Sequence, residues 1–249
     1  MHKISTVIIT KNEEANIERC LLSVLDFSDE VIVIDDFSSD QTSAICKRYE
    51  LVFVQHKFED FASQKNIALD KARFSLVFSI DADEEVSEEL KQSILEIKTN
   101  SAALFYSMNR RTNYLGKWIR YSGWYPDVKI RLWQKENARW KGAVHEVLHP
   151  EPKSQIHLAG DILHHSYPSI QWHVHKINHF TEISAQQMFS KGKKASWFKI
   201  IVSMKFIFFK KYFLQRGFLD GYHGFILALM TSYYTLLKYA KLRHLNQQA

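Results

Sequence analysis

Glycine is scarce in this chain, eight in 249 residues, and the first is Gly116. A Gly-rich phosphate loop near the N-terminus, which a sugar nucleotidyltransferase would want, is therefore excluded. Cysteine is scarcer. Cys20 and Cys46 give no disulfide framework, and both fall in helical patterns that suit packed thiols. Met1–Ile9 enters a strand-like run at once and lacks the long apolar region and cleavage site of a signal peptide, so a cytoplasmic chain is expected. Internal repeats, low-complexity tracts and a clear linker are also missing. Acid is nearly absent from the end of the chain. From residue 191 onward eleven Lys and Arg face Asp220 alone, whereas residues 1–190 carry 22 basic and 26 acidic groups. The net charge of +6 thus belongs to the tail.

What is present alternates between strand and helix signals. Thr6–Thr10 is a buried-type β run, and Asn12–Leu25 carries Ile17, Leu21, Leu22 and Leu25 at helical spacing. Val31–Ile34 is a second β run, stopped by Asp35, Asp36 and Asp40, with Asp40 the better candidate for a helix cap. Helix is expected over Gln41–Tyr49, strand over Leu51–Val54, helix over Phe61–Ala72, strand over Leu76–Ile80 and helix over Ser87–Thr99. Repeated βα units with continuous apolar strands predict a mostly parallel sheet whose ligands gather at the carboxyl ends of the strands. Those ends carry Thr10, Asp35 with Asp36, and Asp81 with Asp83. Positions two apart on an extended backbone face one side, so Asp81 and Asp83 could converge on a hard cation, Mg²⁺ or Mn²⁺, and a nucleoside diphosphate; a solvated turn has the same spacing. Residues 105–165, rich in Trp, Tyr, Arg and Gly, predict short strands and loops that complete the site.

Taken in order, Val7–Glu13, Val31–Thr42 and Asp81-Ala-Asp83 resemble the family 2 glycosyltransferases of the GT-A fold. Trp124–Asp127, Arg131–Trp133, Trp140–Glu146, Leu163-His164 and Arg216–Gly224 resemble a narrower group, small bacterial enzymes that add a β-linked glucose or similar sugar to the lipopolysaccharide inner core. The resemblance implies an α/β, Rossmann-like, mostly parallel central sheet flanked by helices, with a C-terminal amphipathic helical segment. Residues 1–190 would be the GT-A domain and 191–249 a basic, aromatic, membrane-associating tail. It further implies that Thr10 and Asp36 hold the nucleoside, Asp36 accepting from the uracil N–H as an acceptor-only carboxylate can. Lys65 falls near the base and phosphates. Asp81 would touch ribose or metal, and Asp83 would bind the metal directly. His164 falls where a late histidine completes the metal shell or touches a phosphate; a satisfied core imidazole is the alternative.

Inverting transfer needs a base for the acceptor hydroxyl, attack opposite the leaving group, and neutralisation of the departing diphosphate. Glu146 is the preferred base, with a salt bridge to Arg139 or Arg131 as its alternative role. Asp127, beside Trp124 and Tyr125, is the second candidate. Arg131 would face the diphosphate or pair with Asp127. His173, His175 and His179 fall in a helical pattern and lack the second Cys/His set that would specify zinc.

The tail decides the partner. Trp197–Leu214 is apolar but interrupted by four lysines, and Gly221–Leu237 has no Lys, Arg, Asp or Glu for seventeen residues, the short limit for a span. Aromatic residues beside snorkelling lysines predict a helical platform on the anionic inner face of the cytoplasmic membrane, with a core helical hairpin or dimer interface as the alternative. So much aliphatic surface among the lysines argues against nucleic acid. The expectation is therefore a metal-dependent inverting transferase taking a hexose, glucose first, from a UDP-sugar to a lipid-linked saccharide acceptor. Another envelope glycan, a polyprenyl phosphate, or a non-catalytic nucleotide-sugar-binding role are its rivals.

Overall fold

The computed structural model describes residues 1–100, 103–142 and 146–248. They form two compact units: residues 1–110 with 127–165, and residues 111–126 with 166–249.

The first unit begins with the expected alternation. Strands β1 (Ile4–Thr10), β2 (Glu30–Asp35), β3 (Val52–Gln55) and β4 (Leu76–Asp81) are interleaved with helices α1 (Ile17–Val24), α2 (Thr42–Cys46) and α3 (Phe61–Lys71). The short β5 (Glu84–Val86) and helix α4 (Glu88–Thr99) follow. β1, β2 and β4 are buried almost throughout, which is why they read as continuous apolar runs. Helix α1 starts five residues later than the apolar spacing suggests. Asn12 has φ 53°, and Ser38 Oγ and Thr42 Oγ1 accept from the backbone N–H of Asn12 and Glu13 in a turn that precedes the helix. Asp40 accepts from Thr42 N–H at 3.0 Å, but Gln41, not Asp40, holds the N-cap position of α2 and makes no side-chain cap bond. Asp60 and Ser87 cap α3 and α4 through Ser63 and Leu90.

The sheet is mixed, which corrects the mostly parallel expectation. Its order is β3-β2-β1-β4-β8-β6-β11-β5, where β6 is Phe105–Tyr114, β8 is Asp127–Gln134 and β11 is Ile156–Tyr167. β1 pairs parallel with β2 and β4, and β2 with β3, but β4–β8, β6–β8 and β5–β11 are antiparallel. The cause is connectivity. A parallel neighbour needs a crossover of a dozen or more residues, usually an α-helix, and among the described residues no α-helix lies between α4 and the end of β11. β6 and β11, of ten and twelve residues, are also longer than the short strands expected there. β9 (Arg139–Lys141) and β10 (Val147–His149) form a separate hairpin-like pair. The core fills both sheet faces, with Ile4, Ile8, Val33, Phe78 and Leu132 in one cluster and Val7, Ile32, Ile34, Val77 and Trp133 in the other.

The second unit holds β7 (Lys117–Trp118), paired with the end of β6, and helices α5 (Ile170–Ser190), α6 (Trp197–Phe209) and α7 (Tyr222–Gln248). The composition change at residue 191 falls between α5 and α6. α7 packs against both α5 and α6, closing on Ala185, Ala195 and Leu242. A Cβ on Gly224 would stand 1.8 Å from the Gly217 carbonyl oxygen, so the chain before α7 approaches the helix more closely than any side chain permits. Buried Asp220 fixes this turn by accepting from Tyr121 N–H at 2.9 Å and Arg120 N–H at 3.2 Å. The Arg216–Gly224 motif is therefore explained by packing. Among the described residues no helix is long and apolar enough to cross a membrane.

Candidate active site

The carboxyl ends of β1, β2 and β4 bring Thr10, Asp35, Asp36 and Asp81 to one edge of the first unit. The hydroxyl of Thr10 is buried without a hydrogen-bond partner, an exception for a buried polar group that a ligand would remove. Asp35 is fully buried and spent on structure: it accepts from Ser38 N–H and from the Ser38 hydroxyl, and from Gln55 Nε2 at 3.2 Å. Asp36 is half-buried, 3.4 Å from Lys11 Nζ, and accepts from Phe58 N–H at 3.0 Å. Of the two neighbours, Asp36 is the one left facing outward.

Asp81 ends β4 inside a charge cluster. Lys65, buried on α3, places Nζ 3.0 Å from Asp81 Oδ1 and 2.9 Å from Glu146 Oε1, and 4.9 Å from the centroid of the Trp140 ring. Arg131, buried on β8, donates through Nη2 to Asp81 Oδ2 at 2.9 Å and to Glu84 Oε1 and Oε2 at 2.9 and 3.1 Å. Glu84 also accepts from Asp81 N–H at 3.0 Å, which closes the Asp81–Glu84 turn on itself. Burial would raise the Asp81 carboxyl, but Arg131 and then Lys65 hold it well below the usual carboxylate range. The same carboxylates push the Arg131 guanidinium up against its own desolvation. Arg110 on β6 extends the cluster, with Nη1 3.4 Å from Glu84 and Nη2 2.8 Å from Asp127.

Two expectations are corrected here. Arg131 pairs with Asp81 and Glu84; the cation beside Asp127 is Arg110, with Lys129 Nζ at 3.0 Å. Glu146 pairs with Lys65, while Arg139 is engaged by Asp70 at 2.7 Å. Asp127 is half-buried, and although desolvation raises its carboxyl, Arg110 and Lys129 bring it below its ordinary value. Residues Ala143, Val144 and His145 of the Trp140–Glu146 motif lie outside the described residues.

Asp83 and His164 meet across the sheet, Oδ2 to Nε2 at 3.2 Å, and Asp83 C=O accepts from His165 N–H at 2.8 Å. Among the described residues no three His, Cys, Asp or Glu side chains converge as a metal cage. One carboxylate and one imidazole nevertheless fit a divalent ion that takes its remaining oxygens from a diphosphate and water, which is how Mg²⁺-type sites are usually completed. His173 is buried in α5, while His175 and His179 are exposed on it, as the helical pattern implied.

A cavity of about 760 Å³ in the first unit is lined by Lys65, Asp81, Arg131 and Glu146 together with Val128, Trp140 and Leu148. Charged groups beside an apolar, aromatic wall suit a sugar, whose hydroxyls take the polar contacts and whose ring faces take the indole. Glu84 and Arg110 were not singled out by sequence reasoning, and Trp140 entered it only as the first residue of the Trp140–Glu146 motif. Glu84 had one signal, its place directly after Asp81-Ala-Asp83; Arg110 had none.

Comparison with known proteins shows the family. The family described as Glycosyl transferase family 2 matches residues 5–151. An uncharacterized glycosyltransferase of Rickettsia typhi is 33% identical, over 99% of this chain and 88% of its own length. The lipopolysaccharide core biosynthesis glycosyltransferase LpsC of Rhizobium meliloti is 28% identical, over 96% and 91%. Among solved structures, S. aureus TarS 1–349 in complex with UDP-GlcNAc covers 99% of this chain and 92% of its own, at 15% identity and a TM-score of 0.49. The chain is a glycosyltransferase and belongs to glycosyl transferase family 2.

Proposed function

We propose that this enzyme transfers a hexose, glucose first, from a UDP-sugar to a lipid-linked saccharide of the lipopolysaccharide inner core, with inversion. The observation that carries the reading is the meeting of Lys65, Asp81 and Glu146 in the lining of a sugar-sized cavity. The likeness to LpsC, a lipopolysaccharide core enzyme by name, supports the acceptor class.

Thr10 and Asp36 hold the nucleoside, Lys65 the diphosphate, and Asp81 the ribose side. Asp83 and His164 would hold Mg²⁺ or Mn²⁺, whose positive charge compensates the diphosphate when bound. Glu146 takes the proton of the acceptor hydroxyl. The acceptor oxygen then forms its bond to the anomeric carbon as the bond from that carbon to the diphosphate oxygen breaks, and UDP leaves with the electron pair. Asp127, already paired with Arg110 and Lys129, is the weaker candidate for base because two cations compensate its charge.

Thermal unfolding with UDP, ADP, GDP or CMP, each with Mn²⁺ or EDTA, tests the donor. UDP with Mn²⁺ is expected to raise the midpoint, since a ligand selective for the native state must; a shift with another nucleotide alone would replace the donor. Glu146→Gln should keep UDP binding and lose transfer by about 10²- to 10⁴-fold. Undiminished turnover would remove Glu146 as base.

The proposed workplace is the anionic inner face of the cytoplasmic membrane. Phe198, Val202, Phe206, Phe209 and Phe213 are exposed along α6 and the turn after it, among Lys199, Lys205 and Lys210. Phe198 is 77% exposed and Phe206 58%, surface that a lipid interface would cover while the lysines reach headgroups. Replacing Phe198 and Phe206 with Ser should cut co-sedimentation with anionic vesicles about tenfold and leave the thermal midpoint unchanged. Full-length protein that ignores such vesicles would end the membrane assignment.

A further inference from the structure

Three anionic demands fall on one ammonium. Lys65 is 3% exposed, so its charge must be met inside the protein, and Asp81 and Glu146 already meet it at 3.0 and 2.9 Å. A donor diphosphate held by Lys65 would be the third. The three are not equally placed to give way. Asp81 has a second cation, Arg131, at 2.9 Å and keeps it whatever Lys65 does. Among the described residues Glu146 has no other cation within ion-pair distance. Its side chain is also 21% exposed against 4% for Lys65, so Glu146 can turn to solvent or acceptor more cheaply than Lys65 can lose an anion. A carboxylate oxygen that already accepts from an ammonium is moreover turned towards that donor and not towards an acceptor hydroxyl.

We propose that Lys65 exchanges Glu146 for the diphosphate of the bound donor, so that donor binding releases the base towards the acceptor hydroxyl. This rests on the reading of the cavity as a UDP-sugar site. Lys65 is then a positioning residue for the base as well as a donor contact, and it makes the order of binding a consequence of charge. Before the exchange Glu146 is tied to Lys65 and compensated; after it, the compensating cation sits on the leaving group. Trp140, under the ammonium, keeps Lys65 on an aromatic face through the exchange.

Calorimetric titration of UDP, at fixed Mn²⁺, into the full chain separates this from a static clamp. If Glu146 competes for Lys65, removing its charge must tighten UDP: Glu146→Gln should bind about three- to tenfold more tightly than the parent. Glu146→Asp retains the charge but withdraws it from Lys65, and should tighten UDP in the same direction. Equal or weaker binding by Glu146→Gln overturns the exchange. Tightening by Glu146→Gln with none by Glu146→Asp also overturns it, because that pattern is simple repulsion between Glu146 and the diphosphate. As a second arm, Lys65→Met should abolish the gain from Glu146→Gln; a gain that survives in the double variant overturns the proposal. UDP that fails to bind the parent protein sinks the donor reading itself, a different result from equal binding by parent and variant.

Discussion

The charge cluster of the first unit and the buried titratable groups of the second are satisfied by opposite means. In the first, ions answer ions: Lys65, Asp81, Arg131, Glu84 and Arg110 share charge through contacts of 2.9 to 3.4 Å, each cation divided between two carboxylates. In the second, buried groups are met by backbone and by neutral side chains. Asp220 accepts from two backbone N–H groups, and His173 Nδ1 lies 2.9 Å from the Tyr114 hydroxyl, with the Tyr167 ring edge-on at 4.8 Å. The difference is one of purpose. A shared ionic network can redistribute when another anion enters, which suits the diphosphate site proposed for it. A carboxylate pinned by backbone amides or an imidazole wedged between tyrosines cannot redistribute, and fixes a turn or a helix instead.

Breaking the first network should have the largest effect. Arg131→Met leaves Glu84 and Asp81 short of their main cation, and losing one partner of a buried pair costs about 3–5 kcal/mol. The lower end is expected because Lys65 still reaches Asp81 and Arg110 still reaches Glu84. Chemical denaturation measures it, and a loss below about 1 kcal/mol, the scale of a surface pair, would show that the network is dispensable for folding.

Acid separates the units at smaller cost. Burial and then Lys176 lower His173 from 6.5 to about 4. The unfolded chain therefore binds a proton between those values that the folded chain does not. Stability falls as pH drops from about 6.5 to about 4, by up to about 3 kcal/mol. Asp81 is lowered also, but as a carboxylate it keeps its contribution above the ordinary unfolded value and loses it only as pH falls below that. Mild acid should thus weaken the neutral network before the ionic one. His173→Asn, which can still meet the Tyr114 hydroxyl but does not titrate, should flatten the stability profile between pH 4.5 and 6.5 (roughly the window set by the two His173 values). An unchanged profile would place the titration elsewhere.

How far this was legible in the sequence follows the same division. β1, β2 and β4 end where apolar runs meet Thr10, Asp35 and Asp81, so the convergence of these residues on one edge could be read locally. The antiparallel half could not. Arg131 lies 47 residues from Glu84, and Lys65 lies 81 from Glu146, separations that leave no periodicity to detect. Arg131 between apolar neighbours on β8 announced a buried charge but not its partner. Asp220 read as an isolated acid in a basic tail, because backbone N–H groups, its actual partners, carry no side-chain signature.

The Asp70–Arg139 pair isolates what burial adds to the ionic network. It is bidentate at 2.7 and 2.8 Å, geometry as good as that of Arg131, yet both side chains are more than half exposed. The hydrogen bond from Arg139 lowers the Asp70 carboxyl, but solvent screens the pair and two long side chains lose freedom to hold it. Asp70→Asn should therefore cost less than about 0.5 kcal/mol and shrink further at high salt. If it cost as much as Arg131→Met, geometry rather than burial would set the strength of these contacts, and the contrast between the two units would lose its physical basis.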